Sequence, residues 1–302
     1  MSLLSTPTAR PERVFSLVSL VRALGGRVKI TDAKEWLTPQ YRSADSTALT
    51  DEDTKQKAQR VTEVFRVARD LKLLDADRDE WVSSCELPST HRELARHVHA
   101  HLRGLPTEAA DAVLLRAYSW CVAYSEVNGT AALVGMTASD LARDIAAALG
   151  RNDASEDEKS FNTTKLPAWK DWMSFLGLGW NDLPGTRGFL PDPSKRIEEE
   201  LLILIPSKAR LDAATFIAPI AEAFPYLDGG VLFREACDTA QVRPPQGQLS
   251  RVLSQALRAL ENNEVLKCGM EGDSKKGVAL FPDPLSSRNN FSYVERGEAS
   301  DV

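Results

Sequence analysis

Two sets of polar side chains are spaced so that each would lie along one face of a helix. Successive members are three or four residues apart, which matches the period of about 3.6 residues per turn of an α-helix. The first polar set is Lys55, Gln59, Thr62, Arg66 and Arg69, and the second polar set is Gln248, Arg251, Gln255 and Arg258. Both sets are almost free of acids, so each predicts a helix face that carries positive charge.

Arginine, lysine, glutamine and threonine are the residue types that contact phosphates and base edges in the major groove. A helix-turn-helix protein places such a helix in that groove. Lys275 and Lys276, in the turn from Gly269 to Gly277, would add contacts to the DNA backbone. These residues predict binding to double-stranded DNA. The alternative is a scaffold that binds other protein subunits, because long polar side chains also cover ordinary solvated helices.

Residues suited to catalysis or metal binding are not grouped in this sequence. His91, His97, His99 and His101 fall within one predicted helix, and no cysteine completes a tetrahedral metal site. The sequence has no phosphate-binding GxxxxGK[ST] loop. The acid–lysine groups at 32–34 and 157–159 lie at a helix start and in a loop, not on adjacent strands as a nuclease needs. We therefore expect a protein that is not an enzyme and has no cofactor and no metal.

A short stretch that occurs twice indicates how the helices are arranged. Residues 188–194 (GFLPDPS) and 279–285 (ALFPDPL) are each an apolar strand end followed by Pro-Asp-Pro. Proline has no backbone donor, so it stops the pairing of a strand. Each copy follows an amphipathic helix, an apolar step and a glycine-containing turn. This order is typical of the second half of a winged helix-turn-helix.

A third, diverged copy at the N-terminus completes a prediction of three tandem winged helix-turn-helix units, in a fold that is mostly α with small β-wings. The predicted divisions are winged helices at 1–87, 107–195 and 196–286, a bridging helix at 88–106 and a flexible tail at 287–302. In the third helix of the first unit, Val61, Val64, Phe65, Ala68 and Leu71 have the spacing of a core-facing side. Whether residues 197–205 form a helix or a strand stays open.

Composition narrows the class of protein. The chain has 302 residues, a hydrophobic content of 43% and a formal net charge of −6. This charge opposes indiscriminate coating of nucleic acid, so a DNA contact would depend on a few well-placed cations. No run of eighteen apolar residues is present, and Cys85, Cys121, Cys237 and Cys268 are scattered singly. We expect a cytoplasmic protein with free thiols and no membrane segment.

The N-terminal residues carry a resemblance to a known family. Leu3-Leu4-Ser5-Thr6-Pro7, Arg13-Val14-Phe15 and Leu24-Gly25-Gly26 resemble the start of the DpdG proteins of bacterial deazaguanine DNA-modification and restriction clusters. The resemblance implies an accessory role in a phage-defence restriction machinery, beside other subunits of a multi-protein complex. It implies no catalytic residue.

Overall fold

The computed structural model describes residues 3–6, 8–38, 51–150, 161–181, 188–206, 209–243, 247–271, 277–286 and 288–297, without the side chains of 51–57 and 202. The chain divides into two compact units, Met1–Gly104 and Leu105–Val302. The described residues are mostly helical, and the strands form small antiparallel sheets. The prediction of a mostly α fold with small β elements is confirmed. No helix in the described part of the chain has the length and apolar character needed to cross a membrane.

The first unit has the order helix, strand, helix, helix, hairpin, helix. Its elements are α1 (Pro11–Ala23), β1 (Arg27–Lys29), α2 (Ile30–Leu37), α3 (Asp51–Asp70), β2 (Leu74–Asp77), β3 (Glu80–Ser83) and α4 (His91–Arg103). The last strand, β3, lies in the centre of the sheet, antiparallel to both β1 and β2. Gly25, at φ +77°, ends the turn after α1 in a conformation that suits glycine.

The core of the first unit lies on the apolar side of α3. Val61, Val64, Phe65, Ala68 and Leu71 are all buried, which confirms the prediction from their spacing. The ring of Phe65 stacks on that of Trp81 in β3 with 4.4 Å between the ring centroids. The opposite side of α3 is thereby left to solvent.

Helix α4 belongs to the first unit, so this unit ends at Gly104 and not at residue 87. Leu94, Val98 and Leu102 form a buried side of α4. Nε2 of His97 lies 2.8 Å from the carbonyl oxygen of Leu71, just after α3. An amphipathic helix of this kind must cover its apolar side, and α4 does so within the first unit rather than as a separate bridge.

The second unit contains the remaining elements. They are a 3-10 turn (Ala110–Ala112), α5 (Val113–Asn128), α6 (Thr130–Gly135), α7 (Ala138–Ala148), α8 (Leu166–Phe175), β4 (Gly179–Trp180), β5 (Leu190–Pro191), α9 (Ser194–Leu204), β6 (Arg210–Asp212), α10 (Ala213–Ala223), α11 (Val231–Ala240), α12 (Arg251–Asn262), β7 (Leu266–Gly269), β8 (Val278–Ala279), β9 (Asn290–Phe291) and β10 (Tyr293–Arg296). The segment at 197–205, left open by the sequence, lies mostly in helix α9.

Helix α5 lies at the centre of this unit, and it packs against α7, α8, α11 and α12. The Tyr118 ring meets that of Tyr226 edge to face at 5.0 Å and that of Phe189 at 6.3 Å. Residues of the regions predicted as the second and third winged helices therefore share one core. The structure gathers 105–302 into one compact unit, whereas the sequence predicted two separate domains there.

The two Pro-Asp-Pro stretches differ in their surroundings. The first follows the prediction, because Leu190–Pro191 pairs with Gly179–Trp180 as a hairpin and α9 begins directly after Pro193. In the second, β8 does not pair with β7 as predicted but with β9. Strand β7 pairs with β10 instead, so the predicted wing partner was wrong.

The predicted flexible tail is also wrong for residues 288–297. Strand β10 lies between β6 and β7 and pairs with both in antiparallel register. Phe291 and Val294 are fully buried. Because this stretch is mostly polar, its sequence did not indicate that two of its side chains lie in the core. Both three-stranded sheets thus have the same arrangement. In each, the strand that comes last in the sequence lies between the other two.

Candidate nucleic-acid interface

The solvent side of α3 carries most of the first polar set. Gln59, Arg66 and Arg69 are exposed, and they lie on the side of the helix opposite its core residues. Thr62 is half-buried, and its hydroxyl donates to the carbonyl oxygen of Ala58 at 3.2 Å. Lys55 lies in α3, but its side chain is outside the described residues. The structure therefore brings two arginines and an amide together on one accessible helix face.

The hairpin beside α3 has the opposite charge. Asp75, Asp77 and Asp79 are exposed on β2 and the turn that follows, with Arg78 among them. Carboxylates in these positions repel phosphates, so this hairpin is unsuited to follow the DNA backbone. Any duplex contact of the first unit would come from α3 and not from the β2–β3 turn.

In the second polar set, the structure directs Arg251 towards the protein. Its Nε donates to the carbonyl oxygen of Ser125 at 3.2 Å, and its guanidinium carbon lies 3.9 Å from the ring centroid of Phe281. The side chain is half-buried. The guanidinium thus joins α12 to the end of α5 and to the second Pro-Asp-Pro stretch.

Arg258 is buried, with 8% of its surface exposed, and its Nη2 donates to the carbonyl oxygen of Arg288 at 3.1 Å. The prediction that it lies on an exposed helix face is wrong. A guanidinium can satisfy a backbone carbonyl inside a fold, and helical spacing alone does not reveal such a partner. Gln255 is exposed, Gln248 is half-buried before α12 begins, and Lys275 and Lys276 lie outside the described residues.

Two carboxylates that the sequence did not single out lie at the start of α12. Asp228 accepts hydrogen bonds from both the backbone N–H and the hydroxyl of Ser250, at 2.6 and 2.5 Å. Glu126 accepts from the backbone N–H of Arg251 at 2.6 Å. Burial raises the pKa of Asp228, and burial likewise raises the pKa of Glu126 to about 7. These groups hold the helix in place, and a distant partner of this kind leaves no local sequence signal.

A groove between α1, α2 and α3 was also missed. Its lining includes Arg13, Trp36 and Arg60, and its volume is about 460 Å³. Trp36 is 55% exposed. In α2 only Ala33 is buried, so the larger side chains of this helix stay at the surface, which one aromatic residue on a short helix does not reveal in the sequence.

In the described part of the chain, no three His, Cys, Asp or Glu side chains lie close enough together to hold a metal ion. His97 lies against a backbone carbonyl and His99 is buried. The four cysteines are free thiols, and burial raises the pKa of Cys121, Cys237 and Cys268 well above the ordinary value. Their thiolate forms are therefore scarce at neutral pH.

The fold is that of a mostly helical protein with small antiparallel sheets, and one face of α3 exposes Arg66 and Arg69. The sequence matches the DpdG-like family over residues 1–274, and the chain belongs to that family. The resemblance of the N-terminal residues is thereby confirmed and extends far beyond them. The family indicates involvement in a DNA-modification-associated system. Among curated proteins and among solved structures, nothing matches the chain.

Proposed function

We propose that this chain is a non-enzymatic DNA-binding or DNA-targeting subunit of a bacterial DNA-modification and restriction system with a role in phage defence. The observation that carries the proposal is the exposed face of α3, with Gln59, Arg66 and Arg69 side by side. The family supplies the setting, since its members are tied to DNA modification. The partners we propose are double-stranded DNA and other subunits of the same system.

The proposed architecture is three winged helices. The first runs from α1 to β3, and α3 is its recognition helix. The second comprises α5 to α8 with the β4–β5 hairpin. The third runs from α9 to β10 with α11 as an insertion, because β6, β10 and β7 repeat the order of β1, β3 and β2. In this arrangement α12 corresponds to α3.

The two corresponding helices would differ in function. On α3 the arginines of the polar set face solvent, while on α12 Arg251 and Arg258 contact the protein itself. We therefore assign the duplex contact to the first unit. The second unit suits the alternative function, a scaffold for protein subunits, because it exposes Val127, Trp180 and Ile203. Large exposed apolar side chains are frequent where proteins associate.

The test is a salt titration of duplex binding by the full-length chain, followed by fluorescence anisotropy of a labelled duplex. Each phosphate contact contributes about 0.9 to the slope of log K against log salt. The variant Arg66→Gln/Arg69→Gln should lower the slope by about 1.8 and weaken binding at every salt concentration. The matched control is Arg92→Gln/Arg234→Gln, which removes two exposed arginines on α4 and α11 and should leave the slope unchanged.

Equal losses in the variant and in its control would mean that only net charge matters, and the α3 assignment would fail. Absence of duplex binding by the wild-type chain at about 50 mM salt, where such contacts are strong, would favour the scaffold.

A further inference from the structure

The groove between α1, α2 and α3 combines an open aromatic surface with positive charge. Its described lining consists of Arg13, Ser16, Trp36, Leu37, Thr38, Arg60, Val61 and Val64. The volume of about 460 Å³ lies within the range of about 300–1,000 Å³ that is usual for small-ligand sites. The groove is therefore large enough to hold one planar group with its attached charge.

Trp36 is the central feature of this groove. It lies near the end of α2 and is 55% exposed, whereas Trp81 in the same unit is almost fully buried. An indole offers a broad face on which another ring can stack. Val61 and Val64 of α3 are buried below it and give the groove an apolar floor.

The charge of the groove comes from opposite walls. Arg13 lies on α1 and Arg60 on α3, and both are exposed. Nη1 of Arg13 donates to the carbonyl oxygen of Thr8 at 2.9 Å, which leaves other guanidinium donors available. No carboxylate occurs among the described lining residues. The nearby carboxylate of Glu63 accepts a hydrogen bond from the hydroxyl of Thr8.

We propose that this groove binds an unpaired nucleotide of a DNA strand. Its base stacks on Trp36, and its phosphates contact Arg13 and Arg60. Stacking of bases on aromatic side chains beside a cationic groove is the general chemistry of single-strand binding. A protein segment fits this groove less well, because it would have to place one carboxylate against each of two guanidiniums on opposite walls. The inference rests on the proposed nucleic-acid function and adds a second, single-stranded site to it.

The groove and the duplex face lie on different sides of α3. Arg60 follows Gln59 by one residue, which turns it by about 100° around the helix. It points towards α1 and α2, while Arg66 and Arg69 point to solvent on the other side. Substitutions can therefore separate the two sites.

The test uses a fluorescein-labelled oligothymidylate of about 12 nucleotides, a length within the usual range of single-strand sites. Trp36→Leu should weaken its binding about 5- to 150-fold, as loss of one base–aromatic stack does, and Trp36→Phe should retain most of it. Arg60→Gln should lower the salt slope by about 0.7. Trp180→Leu, which removes the other strongly exposed tryptophan, should bind like the wild type.

Circular dichroism shows whether each variant is folded, and the exposure of Trp36 makes unfolding of Trp36→Leu unexpected. If Trp36→Leu and Arg60→Gln both bind as the wild type does, the inference is overturned. It is also overturned if the wild-type chain does not bind the oligonucleotide at low salt, which would leave the groove to a protein segment. A wild-type chain that binds the oligonucleotide but not the duplex would contradict only the proposed α3 function, and one that binds the duplex but not the oligonucleotide would contradict only this inference.

Discussion

The backbone N–H of Arg251 donates to the carboxylate of Glu126 over 2.6 Å, although the residues are 125 positions apart. Glu126 lies in the last turn of α5, and Arg251 is the first residue of α12. The free N–H groups at a helix start favour a carboxylate at this place. With Asp228 on Ser250, the contact attaches α12 to the centre of the second unit.

The first prediction concerns pH and Glu126. Its pKa rises to about 7 in the folded chain from an ordinary value of 4.5, because burial penalises the ionised form. Between pH 4.5 and about pH 7, Glu126 is therefore protonated to a greater extent in the folded state than in the unfolded state. The free energy of unfolding should therefore fall as pH rises from about 4.5 to about 7. Glu126→Gln keeps an oxygen acceptor for Arg251 and should remove this part of the fall.

Urea unfolding at pH 5 and pH 8 measures the effect. Glu126→Gln should be more stable than the wild type at pH 8, with a smaller difference at pH 5. In Glu126→Gln the free energy of unfolding should still fall somewhat as pH rises, because burial also raises the pKa of Asp228. Were the two proteins to show the same pH dependence, Glu126 would not be held in the protonated form.

The second prediction concerns Arg196 at the start of α9. Its side chain is fully buried, its Nη2 contacts the carboxylate of Glu199, and its Nε lies 3.5 Å from the Glu200 carboxylate. Arg196→Met should lower the free energy of unfolding by about 3–5 kcal/mol, because two buried carboxylates lose their cation. Replacing all three residues by Met should recover much of the loss, since an apolar cluster has no charge to desolvate.

The matched control for Arg196 is Arg143→Met on α7. Arg143 also pairs with two acids, Asp140 and Asp144, but at the surface. Solvent screens such a pair, so no measurable change in stability is expected. Equal effects at Arg143 and Arg196 would contradict the buried position of Arg196.

The third prediction concerns β10. Removing residues 288–302 deletes the central strand of a sheet and two fully buried side chains, Phe291 and Val294. Each such side chain contributes about 1.5–3 kcal/mol by burial alone, so the second unit should lose its cooperative unfolding transition. The control deletion, 298–302, should keep it. Val294→Asp should have the same effect as the longer deletion, and a cooperative transition in both would mean that β10 is dispensable.

Local patterns predicted what depends on local contacts. The apolar spacing in α3 identified Val61, Val64 and Phe65 as core residues, and all three are buried. The β4–β5 hairpin followed from the same reasoning. In each case the partners are near in sequence or share one helix face.

The wrong predictions concern features that depend on contacts between residues far apart in the sequence. Strand β7 has an apolar neighbour in Val278–Ala279, yet it pairs with the polar stretch Tyr293–Arg296. Arg258 has the spacing of a surface residue, but its partner is the backbone of Arg288. The exposed Trp36 was left unassigned because a single aromatic residue on a short helix does not show which side of it is covered.

The central position of β10 also determines when the second unit can fold during synthesis. Arg210 of β6 forms an ion pair with Glu295 of β10, 85 positions later. The described strands of the first unit end at residue 83, so this unit can fold while the ribosome is still making the rest. The sheet of the second unit must wait for its last strand, and pairing across so long a separation is slow. Until then the edges of β6 and β7 that β10 will cover stay unpaired, so the incomplete second unit is open to pairing with other chains for longer than the first.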